Sequence, residues 1–271
     1  ASLALALECL SHDDRFIRFA ARTLLEFRPV GAWKDKALAL THPRAIVQTT
    51  LALARLENSD SKELVLQRWE SLALAKLDAE TRLDAVRALQ VIAVRFGDPE
   101  GEMKAKLLDK LHRSLPSNDD RLNAEVAQLL ARWKSPLAAK LIFPLFEKAA
   151  SQEEQLAYAV SLRSVSDGWP KGAREKFFRW FLLEKFQKAA HLSKFIADIR
   201  KDAVASRSDA EKAALQPILD AAPEVRPEPP LASRLFVKNW DTEELFLEVE
   251  PLLKGKRDLA RGQPPYRATG C

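Results

Sequence analysis

The fold is decided by Ser117-Asn-Asp-Asp-Arg-Leu-Asn-Ala-Glu-Val-Ala-Gln-Leu-Leu-Ala-Arg-Trp133. Leu122, Val126, Leu129, Leu130 and Trp133 stand at i, i+4, i+7, i+8 and i+11, the positions that share one face of an α-helix. Asn118 is a residue type that caps helix N-termini, because its side-chain oxygen can accept from a backbone N–H left without a partner. Pro136 follows, where a proline cannot continue a helix. Asp13 or Asp14 opens another such helix, carrying Phe16, Phe19, Ala20, Leu24 and Phe27 and closed by Pro29. Pro43, Pro99, Pro136 and Pro170 each read as the first turn of a helix, where the missing N–H has no partner to lose.

The layout repeats. Ser11-His-Asp-Asp-Arg-Phe-Ile-Arg-Phe-Ala-Ala, Thr41-His-Pro-Arg-Ala-Ile-Val-Gln, Ser117-Asn-Asp-Asp-Arg-Leu-Asn-Ala-Glu-Val-Ala and Ser151-Gln-Glu-Glu-Gln-Leu-Ala-Tyr-Ala-Val share a small polar cap, an acidic or proline turn and an apolar helix rich in Ala. Leu77–Ile92 is a looser fifth copy. The starts lie about 30 to 40 residues apart, near the period of HEAT-type helix pairs. One such pair cannot bury its apolar stripe, so neighbours must stack to make a continuous core. The expected fold is all-α: a HEAT-like α-solenoid of five to six helix pairs over residues 1–221. Composition changes after Ala221. Eight of the 15 prolines lie from Pro217 onwards, and residues 222–235 read as a Pro-rich, semi-rigid linker. Residues 236–271 form a short helical segment. There Asp241 caps a helix with an apolar stripe of Leu245, Phe246, Val249, Leu252 and Leu253, and Gly255 ends it.

The 271 residues are 47% apolar and 30% charged, with 8 Gly and 2 Cys. Few glycines and abundant Ala, Leu, Glu, Lys and Arg favour helix over a β-sandwich, and the low Cys count excludes a disulfide-stapled miniature. The longest apolar-looking run, Leu3–Leu7, is far short of the roughly 18 residues a membrane helix requires. No segment reads as a signal peptide. The chain starts at Ala1 without an initiating Met, and the expectation is that it is a piece of a longer protein.

The net charge of +5 has a local origin. Between Lys171 and Lys212 there are eleven Lys or Arg against six Asp or Glu. Aromatics are interleaved there: Phe177, Phe178, Trp180, Phe181, Phe186 and Phe195. Such a stripe is one form of nucleic-acid surface. The preferred reading buries Phe177, Phe181 and Phe195 in an amphipathic helix pair and leaves the cations as its solvated face.

No catalytic constellation stands out. His12, His42, His112 and His191 fall in different repeats or turns, and none has metal-ligand spacing to another His, Cys or carboxylate. There is no Gly-rich phosphate loop and no nucleophile elbow. Asp198 and Asp202 lie one helical turn apart around Arg200 and Lys201, the pattern of a solvated face. Cys9, among Leu3, Leu5, Leu7 and Leu10, reads as a small buried thiol. Cys271 follows Gly262-Gln-Pro-Pro-Tyr-Arg-Ala-Thr-Gly.

Gly262, Tyr266 and Cys271 match the spacing of the stretch that precedes Cys-x-x-Cys-His in c-type cytochromes. The wider chain resembles large multidomain proteins of planctomycete-type bacteria that join a dehydrogenase-like β-propeller, HEAT repeats and a C-terminal c-type cytochrome domain. The likeness rests on Asp13-Asp-Arg-Phe-Ile-Arg-Phe-Ala-Ala-Arg, Gln155-Leu-Ala-Tyr-Ala-Val-Ser-Leu-Arg, Asp167-Gly-Trp and Phe236-Val-Lys-Asn-Trp-Asp-Thr-Glu-Glu-Leu. It implies that Cys271 forms one thioether to haem c in the full-length protein, with the second Cys and the proximal His supplied further on. It implies export to the periplasm or cell envelope, and it makes the neighbouring dehydrogenase-like and cytochrome c domains the partners of this region. Pro264-Pro265 departs from the family pattern. Two prolines inside the first cytochrome helix are disfavoured, so either that helix starts after them or the end of this sequence is corrupted or degenerate. The leading reading is a non-catalytic scaffold that positions the haem domain relative to the dehydrogenase-like domain. The second is a free-standing HEAT scaffold with a protein partner on its concave face and Cys271 incidental. The third, least favoured, is a nucleic-acid binder using residues 171–212.

Overall fold

A computed structural model describes residues 2–183, 186, 190–223, 239–255 and 258–268. The chain divides into two compact units, residues 1–224 and 225–271. The first contains α1 (Leu3–Cys9), α2 (Arg15–Glu26), α3 (Lys34–Leu38), α4 (Pro43–Leu56), α5 (Lys62–Glu70), α6 (Ala79–Phe96), α7 (Gly101–His112), α8 (Asp120–Arg132), α9 (Ala138–Lys148), α10 (Gln152–Leu162), α11 (Ala173–Trp180), α12 (Ala190–Ala205) and α13 (Asp209–Leu219). Short 3₁₀ turns join some of them, and no strand occurs among the described residues. None of the described helices is long and apolar enough to cross a membrane.

Caps set most helix starts, each by placing a side-chain oxygen on an unpaired N–H. Asp14 accepts from Phe16 N at 2.7 Å, Asp78 from Thr81 N at 2.8 Å and Ser151 from Glu154 N at 3.1 Å. Ser208 and Glu211 form a reciprocal capping box. For α8 the cap is Asp119, not Asn118: its carboxylate accepts from Arg121 N at 3.0 Å. Ser117 Oγ accepts from Asp119 N, and buried Asn123 brackets both backbone groups of Ser117 at 2.8 and 2.9 Å. These bonds hold the turn one residue tighter than the sequence suggests. Pro43 is the first residue of α4, as expected. Pro99, Pro136 and Pro170 instead precede their helices by two or three residues, in the connecting turns. Pro144 and Pro217 lie inside α9 and α13.

The principal helix contacts join near neighbours in sequence: α2 to α4, α4 to α6, α6 to α8, α8 to α10 and α10 to α12, with α5 against α4, α6 and α7 and α9 against α8 and α10. The stripe of α8 is buried as expected, with Leu122, Val126, Leu129, Leu130 and Trp133 all in the core. Trp133 Nε1 also donates to Asp98 Oδ1 at 3.1 Å, and Trp69 Nε1 donates to Ala85 O at 2.6 Å, so both indoles are buried with their polar atom satisfied.

A second concentration of core lies at α9–α11. Phe143, Phe146, Trp169, Phe177, Trp180 and Phe181 pack in stacked, tilted and edge-to-face pairs, with ring centroids 5.1 to 6.5 Å apart. The turn that delivers Trp169 requires glycine. Gly168 has φ +73°, and a Cβ there would stand 2.2 Å from Pro136 O. Phe177 and Phe181 are buried as expected, but Phe195 is exposed. α12 buries Ile196, Ile199 and Ala203 instead, and Phe195 falls one residue off that stripe.

α2 departs furthest from its sequence pattern. Phe16, Phe19 and Phe27 are 66%, 56% and 84% exposed, while Arg18 is 2% exposed and Ala21 and Leu25 are buried. The helix is turned so that its Arg18–Ala21–Leu25 stripe faces inward. The physical reason is the set of acceptors that meets Arg18. It donates to His12 O at 2.9 Å, Asp13 O at 2.8 Å and Glu80 Oε1 at 2.9 Å. A buried guanidinium with several charge-assisted bonds is tolerated, whereas one lacking them is not.

In the second unit, α14 (Thr242–Leu253) starts at Asp241, whose carboxylate accepts from Glu243 N and Glu244 N at 2.8 and 3.0 Å. Gly255 follows its end, and Leu245, Phe246, Val249, Leu252 and Leu253 are all exposed. α15 (Leu259–Ala268) runs through Pro264 and Pro265 instead of starting after them. Asp258 anchors its first turn by accepting from Arg261 N at 3.0 Å. The two prolines lack the N–H groups that would bond the carbonyls of Ala260 and Arg261, and these exposed residues of the first turn leave those carbonyls to water. The linker residues 224–235 and Phe236–Lys238 lie outside the described residues.

Candidate interaction groove

Exposed apolar residues and arginines meet on one side of α2, α4 and α6. α2 presents Phe16 and Phe19; α4 adds Val47 and Leu51 and α6 adds Val91, around a groove of about 470 Å³. Four arginines line it, Arg15, Arg18, Arg22 and Arg87, against one carboxylate, Asp84. A shallower hollow lies along α2, between Phe19 and Phe27.

The floor of the groove is a polar network. Arg18 Nη2 bonds Glu80 and lies 3.7 Å from Asp84. Arg22 donates to Gln48 Oε1 at 2.9 Å and pairs with Glu26 at 3.1 Å; Glu26 also pairs with Arg55 at 3.1 Å. Arg87 pairs with Glu125 on α8 at 3.1 Å. Burial pushes the Asp84 carboxyl above its ordinary value, partly offset by Arg18. Burial also lowers the Arg22 guanidinium, against the pull of Glu26. Arg22 stays charged nonetheless, because an arginine does not lose its proton in a protein. Above the floor, the Arg15 guanidinium lies 4.7 Å from the Phe16 ring centroid and that of Arg22 lies 5.2 Å from the Phe19 centroid. Each is a cation held over an aromatic face. The result is an apolar ridge with a cationic rim above a floor of ion-paired side chains.

A larger hollow of about 770 Å³ lies between the α5–α6 connection, α7 and the turn before α8. Most of its cations are already committed. Lys110 donates to Leu72 O at 2.9 Å and pairs with Glu70, Arg82 holds Leu74 O and Leu77 O at 2.9 Å, and Arg113 pairs with Asp109.

The other residues singled out in the sequence do not come together. His12 Nδ1 accepts from Asp14 N at 2.9 Å and His42 precedes α4, so both serve helix starts. His112 Nε2 bonds Ser135 Oγ at 2.7 Å, and burial lowers its pKa. His191 lies in α12, and its side chain is outside the described set. Asp198 pairs with Lys194 at 3.3 Å and Asp202 with Arg163 at 3.5 Å, so each has its own cation. Cys9 is a half-buried free thiol packed against the core. Cys271 lies outside the described residues. Among the described residues no group of three or more His, Cys, Asp or Glu could hold a metal ion.

Several cations of the 171–212 stretch are neutralised. Arg174 pairs with Glu211, Lys176 with Glu147 at 2.7 Å and Lys212 with Asp209 at 3.2 Å, and buried Arg207 donates to backbone carbonyls. The groove on α2 was not singled out in the sequence. The signal lay in Arg15, Arg18 and Arg22, which form a second stripe at i, i+3 and i+7, and in Glu80 and Asp84, spaced one turn apart to receive it. In comparisons with known proteins, no family model, curated protein or solved structure matches the chain.

Proposed function

We propose that the chain is a HEAT-like α-solenoid of five to six helix pairs that acts as a non-catalytic scaffold. The supporting observation is the groove that crosses α2, α4 and α6: three alternate helices each contribute residues to one surface, and no single helix pair supplies it. Helix contacts between near neighbours in sequence agree with stacked repeats, whose shared faces serve as binding surfaces.

In this proposal the scaffold belongs to an exported electron-transfer protein, and it positions a c-type cytochrome domain relative to a dehydrogenase-like domain of the same chain. Cys271 forms one haem thioether in the full-length protein. The support is the sequence likeness, with Gly262, Tyr266 and Cys271 at the spacing that precedes a haem-attachment motif.

The test is to extend the coding sequence past residue 271 and express it with a c-type haem maturation system. The expected product carries covalent haem that survives denaturation, and Cys271→Ala reduces the attachment to one thioether. A folded, helical product without covalent haem would contradict the electron-transfer role and leave a free-standing scaffold.

A further inference from the structure

The groove identifies a class of partner, an inference that rests on the scaffold reading. We infer that the exposed face of α2 docks an acidic amphipathic helix of a partner polypeptide, laid along α2 with its apolar stripe on Phe16, Phe19 and Phe27.

Two observations carry the apolar half. At roughly 200 Å² per phenylalanine, the exposed fractions of these three residues amount to about 400 Å². That is the size of patch which on a monomer is commonly functional. The ridge also lies on an edge of the contact series. α4 has α2 on one side and α6 on the other, and α6 has α4 and α8, whereas α2 packs on α4 and on the short α1. A helix laid on α2 would repeat the contact that α2 itself makes with α4.

Charge decides the partner's composition. Of the four arginines in the groove lining, Arg18, Arg22 and Arg87 pair with Glu80, Glu26 and Glu125, and the lining carboxylate Asp84 faces Arg18, so the unpaired cations lie at the ends of the ridge. At one end of the ridge Arg15 has no ion pair among the described residues, and at the other end neither has Arg28 beside Phe27. Arg15 and Arg28 stand thirteen positions apart, about 20 Å at the rise of a helix. A partner with carboxylates at both ends of a four-turn apolar stripe satisfies both guanidiniums, while a basic helix meets two unpaired cations of its own sign.

The probes are two labelled synthetic peptides with the same Leu/Phe stripe, one with Glu and one with Lys on its remaining positions, titrated against the full chain by fluorescence anisotropy. The Glu peptide is expected to bind with a Kd on the order of 10 µM, as small interfaces do. Binding weakens at least tenfold in high salt, and the Lys peptide binds at least tenfold more weakly. Phe16→Ala with Phe19→Ala removes binding without shifting the melting temperature, and Arg15→Glu with Arg28→Glu reverses the preference between the peptides. Equal affinity for both peptides, or displacement of the Glu peptide by a single-stranded oligonucleotide, overturns the inference. Hydrogen exchange on the same sample separates the two levels. Protected α4 and α6 with no peptide footprint on α2 overturn the docking inference alone, while unprotected α4 and α6 overturn the scaffold reading with it.

Discussion

α2 and α8 are similar in length, both are capped by an aspartate, and both carry a clear apolar pattern, yet they face opposite ways. α8 buries its leucines and Trp133. α2 buries Arg18 and leaves Phe16 and Phe19 in solvent. The difference lies in the neighbours. α8 meets apolar faces of α6, α9 and α10, whereas the inward stripe of α2 meets Glu80, Gln48 and two backbone carbonyls. A helix with two stripes is oriented by which stripe finds partners, because an unpaired buried guanidinium costs more than an exposed phenylalanine.

The comparison can be broken most forcefully in α8. Trp133→Ala removes a buried indole and its bond to Asp98, and should cost about 3–5 kcal/mol in urea denaturation. A loss below about 1 kcal/mol would mean the α8 stripe is not core. Next comes Arg18→Ala on α2, which leaves the acceptors of the polar floor without their donor and should cost about 3 kcal/mol. Arg18→Ala within experimental error of wild type would remove the reason given for the orientation of α2.

The cap of α8 offers a smaller effect that depends on pH. Asp119→Ala should cost about 1 kcal/mol at neutral pH. The Asp119 carboxyl is held below its ordinary 3.8 by its bonds with Arg121, outweighing burial. A depressed acid contributes its stability above the unfolded value and loses it as pH falls through the folded one. The difference between wild type and Asp119→Ala should therefore be full above about pH 4 and shrink below it. A difference that grew on acidification would contradict the assignment of Asp119 as the charged cap.

Much of this was legible in the sequence. Element type followed from period, and α8, α10 and the start of α14 lie where caps and stripes put them. Boundaries shifted by a residue where a side-chain network, as at Ser117–Asn123, tightened a turn. Orientation was legible only where one stripe existed. For α2, choosing between Phe16–Phe19 and Arg15–Arg18–Arg22 required knowing that Glu80 and Asp84, more than sixty residues away, would sit opposite. The same limit applies to Phe195, whose exposure depends on which neighbour α12 meets. The groove is not legible in the sequence because three helices assemble it, whereas in 171–212 the count of cations is high but ion pairs absorb several of them.

The central claim is that α2 faces Arg18 inward and its phenylalanines outward. The most direct measurement is the unfolding free energy of the variant carrying Phe16→Ser, Phe19→Ser and Phe27→Ser together, by urea denaturation monitored at the helical circular dichroism band. The orientation found here predicts a change within about 1 kcal/mol of wild type, since exposed substitutions cost little. A loss of more than about 5 kcal/mol, the scale of three buried aromatics removed from a core, would show that the helix faces the other way.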